Sequence, residues 1–110
     1  MQVEVHLEGP YAVVALSGEV DLHHSPTARK QLLGQLQAQR PVLVDLAAVE
    51  YIDSSGVASL VEGYQLARTR DLEFALVGVS EAVMRVLKLA RLDQVFPIYA
   101  SISERLGHGG

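Results

Sequence analysis

Residues 42–64 constrain the fold most strongly in this sequence of 110 residues. Residues 42–46 are almost all apolar, which is typical of a strand buried on both faces, and helical spacing of apolar residues starts at Val57. Between them, residues 53–56 read Asp-Ser-Ser-Gly. Asp and Ser favour a helix N-terminus because their side chains accept hydrogen bonds from unpaired backbone N–H groups. The stretch therefore predicts a strand, a short connection and a helix.

The two hydroxyl groups at this predicted helix start have two possible uses. Ser54 or Ser55 can serve as a helix cap, which is the commoner use of such residues. Alternatively, one of them can carry a phosphate, because the unpaired N–H groups and the helix dipole favour an anion at this end. Local chemistry alone favours the cap and leaves the second use open.

The rest of the chain repeats this pattern of strands and helices. Val3, Val5 and Leu7 alternate with polar residues, which predicts a strand with one buried face, and Gly9-Pro10 turns the chain into an antiparallel partner. The predicted elements are strands at 3–7 and 11–16 with a bulge at Gly18, a helix at 27–39 capped by Ser25, a strand at 42–46, a helix from 53–57 through Ala67, a strand at 74–77, a helix capped by Ser80, a strand at 95–99 and a short helix opened by Ser101 and Glu104.

This order predicts the fold class and the domain organisation. Alternation after a starting hairpin predicts an α/β fold with a mixed, mostly parallel sheet, opened by an N-terminal antiparallel hairpin and covered by about four helices. The length suits one domain, residues 1–110, with an ordered core over about 3–106 and a frayed tail at 107–110.

Composition excludes several classes of function. The net charge of −4 is spread along the chain without a basic block, so direct nucleic-acid binding is disfavoured. The sequence has no cysteine, which excludes disulfides and thiolate chemistry and suits a reducing compartment. It has no apolar run of the roughly 18 residues that a membrane span needs and no leader pattern. We expect a cytoplasmic protein without membrane insertion, whose partner is another protein.

The candidate catalytic and metal-binding groups are weak. His23 and His24 are adjacent but lack the further ligands that zinc requires. Neither Ser54 nor Ser55 lies in a nucleophile elbow, and phosphate-binding and dinucleotide-binding glycine patterns are absent. The carboxylates Asp45 and Asp53 flank the strand-to-helix connection, where both are more simply explained as loop and cap residues than as a catalytic pair. We therefore expect no enzymatic activity, no metal and no cofactor.

Four small residues near the start of the second predicted helix have two interpretations. Gly56, Ala58, Ser59 and Gly63 leave little side-chain bulk there, although glycine costs up to about 1 kcal/mol relative to alanine inside a helix. They either let a partner's backbone approach or let the helix pack tightly on its own sheet. The sequence leaves both interpretations open.

Several of these segments together resemble a known family. The sequence Tyr-Ile-Asp-Ser-Ser-Gly-Val at residues 51–57 follows the strand at 42–46, and Gly-Glu-Val-Asp at 18–21 precedes a helix started by Ser and Pro. This arrangement resembles the STAS family and, more specifically, its single-domain anti-sigma factor antagonists. The resemblance runs in order from about residue 3 to residue 106.

The resemblance implies a regulatory function with Ser54 as its switch. In that family the serine directly after the Asp is phosphorylated by a partner that is both anti-sigma factor and serine kinase, which corresponds to Ser54 here, with Ser55 as the fallback. The unphosphorylated form binds this partner, and a serine phosphatase resets the switch. The expected partner-binding residues are Asp21, His23, Asp53, Ser54, Ser55, Gly56, Val57, Ala58 and Ser59.

Two departures from the family pattern leave alternatives. Many antagonists have glycine where this chain has Ala58, and a glycine pair where it has residues 70–72, Arg-Asp-Leu. A related branch of the family docks on the ATPase of a lipid-transport ABC system, where phosphorylation is irrelevant. A small-molecule sensor or an unrecognised enzyme is a third possibility, since ligands bind beside the sheet in many α/β folds.

Overall fold

A computed structural model describes residues 1–107 of the chain. Residues 108–110 of the predicted tail lie outside the described residues. The elements in chain order are β1 (Gln2–Glu8), β2 (Tyr11–Val20), α1 (Ser25–Gln37), β3 (Val42–Ile52), α2 (Ser54–Thr69), β4 (Phe74–Val77), α3 (Glu81–Leu89), a 3-10 turn (Leu92–Gln94), β5 (Ile98–Tyr99) and α4 (Ile102–Leu106).

The five strands form one mixed sheet in the order β1-β2-β3-β4-β5. β1 and β2 are antiparallel neighbours, and each later strand runs parallel to the one before it. This confirms the predicted fold class, including the N-terminal hairpin and the four helices. No helix within residues 1–107 combines the length and the hydropathy needed to cross a membrane.

The sheet carries a large apolar core on one face and a small one on the other. The large core joins β2, β3 and β4 to α1, α2 and α3 through fully buried side chains that include Leu32, Leu60 and Leu87. The small core joins Val13, Leu43 and neighbouring strand residues to Ile102 and Leu106 of α4. The central strand is thus buried on both faces, as its composition predicts.

β2 and β3 are longer than predicted, and the difference matters for the site. Residues 47–52 were expected to form a connection, but they continue β3, and β2 continues to Val20. The parallel pairing of β2 with β3 shifts register on both sides of residues 17–18, next to the predicted bulge at Gly18, whose φ is +78°, and it continues to the pair Val20 and Ile52. Sequence patterns missed this extension because Ala, Glu and Gly residues interrupt the apolar alternation there.

Two terminal strands also differ from the predictions. Val5 and Leu7 were predicted to face a core, but they are 38% and 61% exposed, because β1 is an edge strand beyond the part of the sheet that the helices cover. The predicted strand at 95–99 is reduced to Ile98–Tyr99. Phe96 instead enters the large core, 5.5 Å from the ring of Tyr64.

A polar cluster attaches α4 to the sheet. The hydroxyl of Tyr11 donates to Glu73 at 2.7 Å, and Arg105 of α4 forms an ion pair with the same carboxylate. The Arg105 guanidinium also lies over the rings of Tyr11 and Tyr99. Burial, followed by the hydrogen bond to Glu73, raises the pKa of Tyr11 to about 12, and the Arg105 hydrogen bond lowers the pKa of Glu73.

The substitution Glu73→Gln is expected to lower the pKa of Tyr11 from about 12 toward its ordinary value of 10.0, because the phenol loses a charged acceptor. Since the folded pKa is raised, the stability that Tyr11 contributes is present below pH 10 and is lost as pH rises toward 12. Ultraviolet titration of phenolate measures the shift, and Tyr11→Phe identifies its signal among the four tyrosines. An unchanged late titration in Glu73→Gln would contradict the assignment.

Candidate functional site

The candidate site lies where β2 and β3 end and α1 and α2 begin. Asp53 directly follows β3, and Asp21 directly follows β2. Because these strands are parallel neighbours, their carboxyl ends lie side by side, and the Asp53 backbone N–H donates to the Val20 carbonyl at 3.2 Å. The structure therefore brings together two segments that are about thirty positions apart in the sequence.

Asp53 fixes the start of α2 through its side chain. Its Oδ1 accepts from the backbone N–H of Ser55 at 2.9 Å and of Gly56 at 3.1 Å, and from the Ser55 hydroxyl at 2.5 Å. Its Oδ2 accepts from the backbone N–H of Leu22 at 3.0 Å. The Ser55 hydroxyl contributes most to lowering the pKa of Asp53, and together with the three N–H donors it outweighs the opposing effect of partial burial.

The two serines at this helix start have different environments. Ser54 is the first residue of α2 and is exposed. Ser55 is half-buried, and its hydroxyl is engaged by Asp53. The prediction that Ser54 can cap α2 is wrong, because Asp53 is the N-cap and Ser54 is already the first helical residue. Ser54 is therefore the more accessible of the two hydroxyls.

Asp21 organises the start of α1 in a similar way. Its Oδ1 accepts from the backbone N–H of His24 at 3.0 Å and lies 2.8 Å from His24 Nδ1. Partial burial opposes ionisation, but these bonds to His24 outweigh it and lower the pKa of Asp21. His23 is exposed, and its ring is nearly perpendicular to the His24 ring, with the two ring centroids 4.9 Å apart. Asp21 and His23 thus border the same surface as Asp53.

Ser25 is not the cap of α1, contrary to the prediction. The capping position belongs to His24, which makes no side-chain cap hydrogen bond. Ser25 is buried inside the first turn, and its backbone N–H donates to the Asp21 carbonyl at 2.7 Å. Asp21 supplies the oxygen atoms for these first N–H groups, so a serine cap is not required. Pro26 lies in the first turn, where its missing N–H costs nothing.

The small residues of α2 pack mainly within the molecule. A Cβ on Gly56 would lie 2.6 Å from the Val20 carbonyl oxygen and 2.7 Å from Ile52 Cγ1. Ser59 is buried and its hydroxyl donates to the Ser55 carbonyl at 3.2 Å, while a Cβ on Gly63 would lie 2.7 Å from the ring of Phe74. Tight packing on the protein's own sheet therefore explains Gly56 and Gly63, and Ser59 packs toward α1, where its hydroxyl lies 3.4 Å from the Ser25 carbonyl.

The predicted docking residues consequently divide into a surface and its support. Ser54 and Ala58 are exposed, and Val57 is half-buried. Gly56 and Ser59 lie beneath them and can affect a partner only by holding the first turn of α2 close to the sheet. The most buried stripe of α2 thus includes these small residues, whereas the predicted apolar face, including Val57, lies partly at the surface.

Three exposed apolar residues near the site were missed by the sequence analysis. Leu22 is 75% exposed between Asp21 and His23, Tyr51 is 49% exposed at the end of β3, and Leu89 is 85% exposed at the end of α3. Tyr51 and Leu89 line one shallow groove together with Arg85. Only Leu22 carries a sequence signal, since it is an isolated apolar residue in a polar loop.

This arrangement suits docking and modification. The four donors around Asp53 commit its carboxylate to holding two segments together, so it is poorly placed to accept a proton in catalysis. What remains available is the exposed Ser54 hydroxyl, which follows Asp53 in the chain, and Asp53 is bonded to the loop that carries Asp21 and the exposed Leu22. Surfaces of this kind bind proteins.

Known proteins resemble the chain over nearly its whole length. The STAS domain family matches residues 2–105. The anti-sigma F factor antagonist of Paenibacillus polymyxa is 30% identical over 101 residues, which cover 90% of this chain and 86% of that protein. These matches confirm the resemblance stated from the sequence.

Two solved structures resemble the fold closely. An anti-sigma factor antagonist from Mycobacterium paratuberculosis has a TM-score of 0.84 at 27% identity, covering 97% of this chain and 92% of that one. An anti-sigma-factor antagonist (STAS) domain protein from Planctomyces limnophilus has a TM-score of 0.85 at 27% identity, covering 94% of both chains. At these coverages the similarity spans nearly the whole chain.

Gly56→Ala is expected to lower the free energy of unfolding by about 1–3 kcal/mol, because the added methyl group meets the Val20 carbonyl and cannot be relieved by a side-chain rotation. Urea unfolding measures the change. The matched control is Gly34→Ala in α1, where a Cβ meets nothing within 4 Å. This substitution should raise the free energy of unfolding by about 0.5–1 kcal/mol. Equal effects of the two substitutions would contradict the close approach of α2 to β2.

Asp53→Asn is expected to destabilise the protein most at neutral pH. The pKa of Asp53 is lowered in the folded state, so its ionised form stabilises the fold above the unfolded value of about 3.9, and this contribution disappears as pH falls below it. Urea midpoints of the two proteins should therefore converge in acid. Asp71→Asn is the charge-matched control, because Asp71 is exposed with a φ of +57° that asparagine also adopts. A constant gap between pH 7 and pH 3 would refute the role of the carboxylate.

Proposed function

This chain belongs to the STAS domain family, and we propose that it acts as an anti-sigma factor antagonist that switches partners. In this proposal it binds an anti-sigma factor that is also a serine kinase while Ser54 is unmodified. Phosphorylation of Ser54 by that kinase releases it, and a serine phosphatase restores binding. The protein itself performs no catalysis and acts in the cytoplasm.

The observation that carries the proposal is the contrast between Ser54 and its neighbours. Ser54 is exposed at the first position of α2, while Asp53 on one side is held by four hydrogen-bond donors and Gly56 is packed against β2. A kinase thus meets an accessible hydroxyl at a fixed position. The Ser55 hydroxyl already donates to Asp53, which supports Ser54 over Ser55 as the acceptor.

Electrostatics explains how a phosphate can release a partner. A phosphate adds about −1.5 to −2 charges at neutral pH. On Ser54 it would lie next to Asp53 and near Asp21, both of which have lowered pKa values and stay ionised at that pH. A partner that buries this surface would have to desolvate three neighbouring anions, which costs binding free energy unless each is paired.

Apolar residues around Ser54 explain how the unmodified surface can bind. Leu22 and Ala58 are exposed, and Tyr51 and Leu89 lie in the adjacent groove. Burial of such side chains contributes about 25 cal/mol per Å². The unmodified serine has no charge and is inexpensive to desolvate at the rim of this apolar contact. Modification thus converts a favourable contact into an unfavourable one without a change of fold.

Incubation with the cognate kinase and ATP is expected to place one phosphate on Ser54, located by peptide mass mapping. Ser54→Ala should abolish the incorporation, and Ser55→Ala should retain it, because Ser55 is occupied by Asp53. Phosphate on Ser55 in the unsubstituted protein would contradict the choice of acceptor. A kinase that modifies a known substrate but not this chain would contradict the mechanism.

Ser54→Asp is expected to weaken binding of the kinase by at least about tenfold, equivalent to roughly 1.4 kcal/mol, because it places a permanent charge at the contact. Titration calorimetry measures the affinity. The charge-matched control is Ser103→Asp, since Ser103 is exposed on α4, which packs on the face of the sheet opposite to α2. This variant should bind the kinase with unchanged affinity. Binding that tolerates Ser54→Asp would instead favour a permanent docking subunit, such as one that attaches to a transporter ATPase.

A further inference from the structure

The two edges of the sheet differ greatly in their ability to pair with another strand. β5 is only two residues long and follows Pro97, so it offers little to a second strand. β1 has seven residues, Gln2–Glu8, pairs with β2 without interruption, and contains no proline or lysine. Of the usual devices that prevent an edge strand from pairing, β1 therefore lacks proline, lysine and a bulge, and its charged residues are Glu4 and Glu8.

The direction of the free hydrogen-bonding groups on β1 follows from its pairing with β2. The backbone N–H of Ala12 donates to the Pro41 carbonyl at 2.9 Å, on the side of β2 away from β1. Leu7 of β1, which lies opposite Ala12, is therefore in a non-hydrogen-bonded pair. Both backbone groups of Leu7 point outward from the sheet. By the two-residue period of a strand, the same holds for Val5 and Val3.

The residues with outward backbone groups also carry exposed apolar side chains. Val5 is 38% exposed and Leu7 is 61% exposed, on the face that the helices cover elsewhere. Glu4 and His6 occupy the other face of the strand and are exposed as well. β1 thus presents unpaired backbone groups and an apolar ridge along the same edge.

We propose that β1 pairs antiparallel with β1 of a second copy of this chain around a two-fold axis at Val5. Val5 is the midpoint of the seven residues, so this register overlaps the strands completely. It pairs Val5 with Val5 and Val3 with Leu7 in hydrogen-bonded positions, through the groups that point outward. The two five-stranded sheets then form one continuous sheet of ten strands.

Side-chain chemistry selects this register and a second copy as the partner. On one face, valine and leucine side chains meet across the axis. On the other face, Glu4 lies opposite His6 of the second copy, twice per dimer, where a carboxylate can accept a hydrogen bond from an imidazole N–H. His6 Nε2 also lies 3.5 Å from Glu8 of its own chain. A shift of two residues toward the hairpin would bring Gly9 and Pro10 into the pairing and lose hydrogen bonds.

A contact between two edge strands is small, so the dimer is expected to be reversible and dependent on concentration. Analytical ultracentrifugation from micromolar to millimolar concentration should show a shift from 11.9 kDa to twice that mass. Val5→Lys should raise the dissociation constant at least about tenfold, because it places two like charges opposite each other. Val95→Lys is the matched control, since it changes an exposed valine outside β1.

Disulfide trapping tests the register independently. The chain has no cysteine, and non-hydrogen-bonded pairs place Cα atoms about 4.5 Å apart, within the range for a disulfide. Mixing Glu4→Cys with His6→Cys should trap a mixed dimer, whereas each alone should trap little. A monomer at all concentrations, an unchanged dimer in folded Val5→Lys, or equal trapping by the single variants would each overturn the proposal.

Discussion

The site depends on one carboxylate that joins two separate segments. Asp53 holds the first turn of α2 through its Oδ1 and the loop after β2 through its Oδ2. Neither segment would have a defined position from local propensity alone, since the loop has no regular structure and a helix start has unpaired N–H groups. Because these bonds favour the ionised form, which lowers the pKa of Asp53, the charge of Asp53 strengthens the link between the two segments.

The sequence predicted the elements well and their surroundings less well. The mixed sheet, the hairpin, the caps Ser80 and Ser101 and the helix start at residues 53–56 all follow from local rules of periodicity and capping. The exposure of β1 could not be predicted in this way, because an alternating pattern shows which side chains share a face of a strand but not whether another element covers that face. Val5 and Leu7 alternate as a core face would, yet both side chains are exposed.

The choice of capping residue also required tertiary information. Residues 53–55 all have side chains that can cap, and only the backbone position decides which one does. Asp53 retains an extended backbone and caps, because its N–H is paired with the Val20 carbonyl as a continuation of β3. The unexpected length of β3 therefore determines the cap. The length of β2 likewise explains why glycine is needed at position 56, because the Val20 carbonyl at the end of β2 lies against the start of α2.

The occupied donors at the start of α2 determine where a phosphate on Ser54 could act. The backbone N–H groups of Ser55 and Gly56 donate to the Asp53 side chain, and that of Val57 donates to the Asp53 carbonyl. A helix N-terminus normally stabilises an anion through these groups. Here the cap already uses them, so the fold has few donors left for a phosphate. Its charge would remain at the surface, where a partner must accommodate it. Phosphorylation would therefore change the affinity for the partner rather than the conformation of this domain.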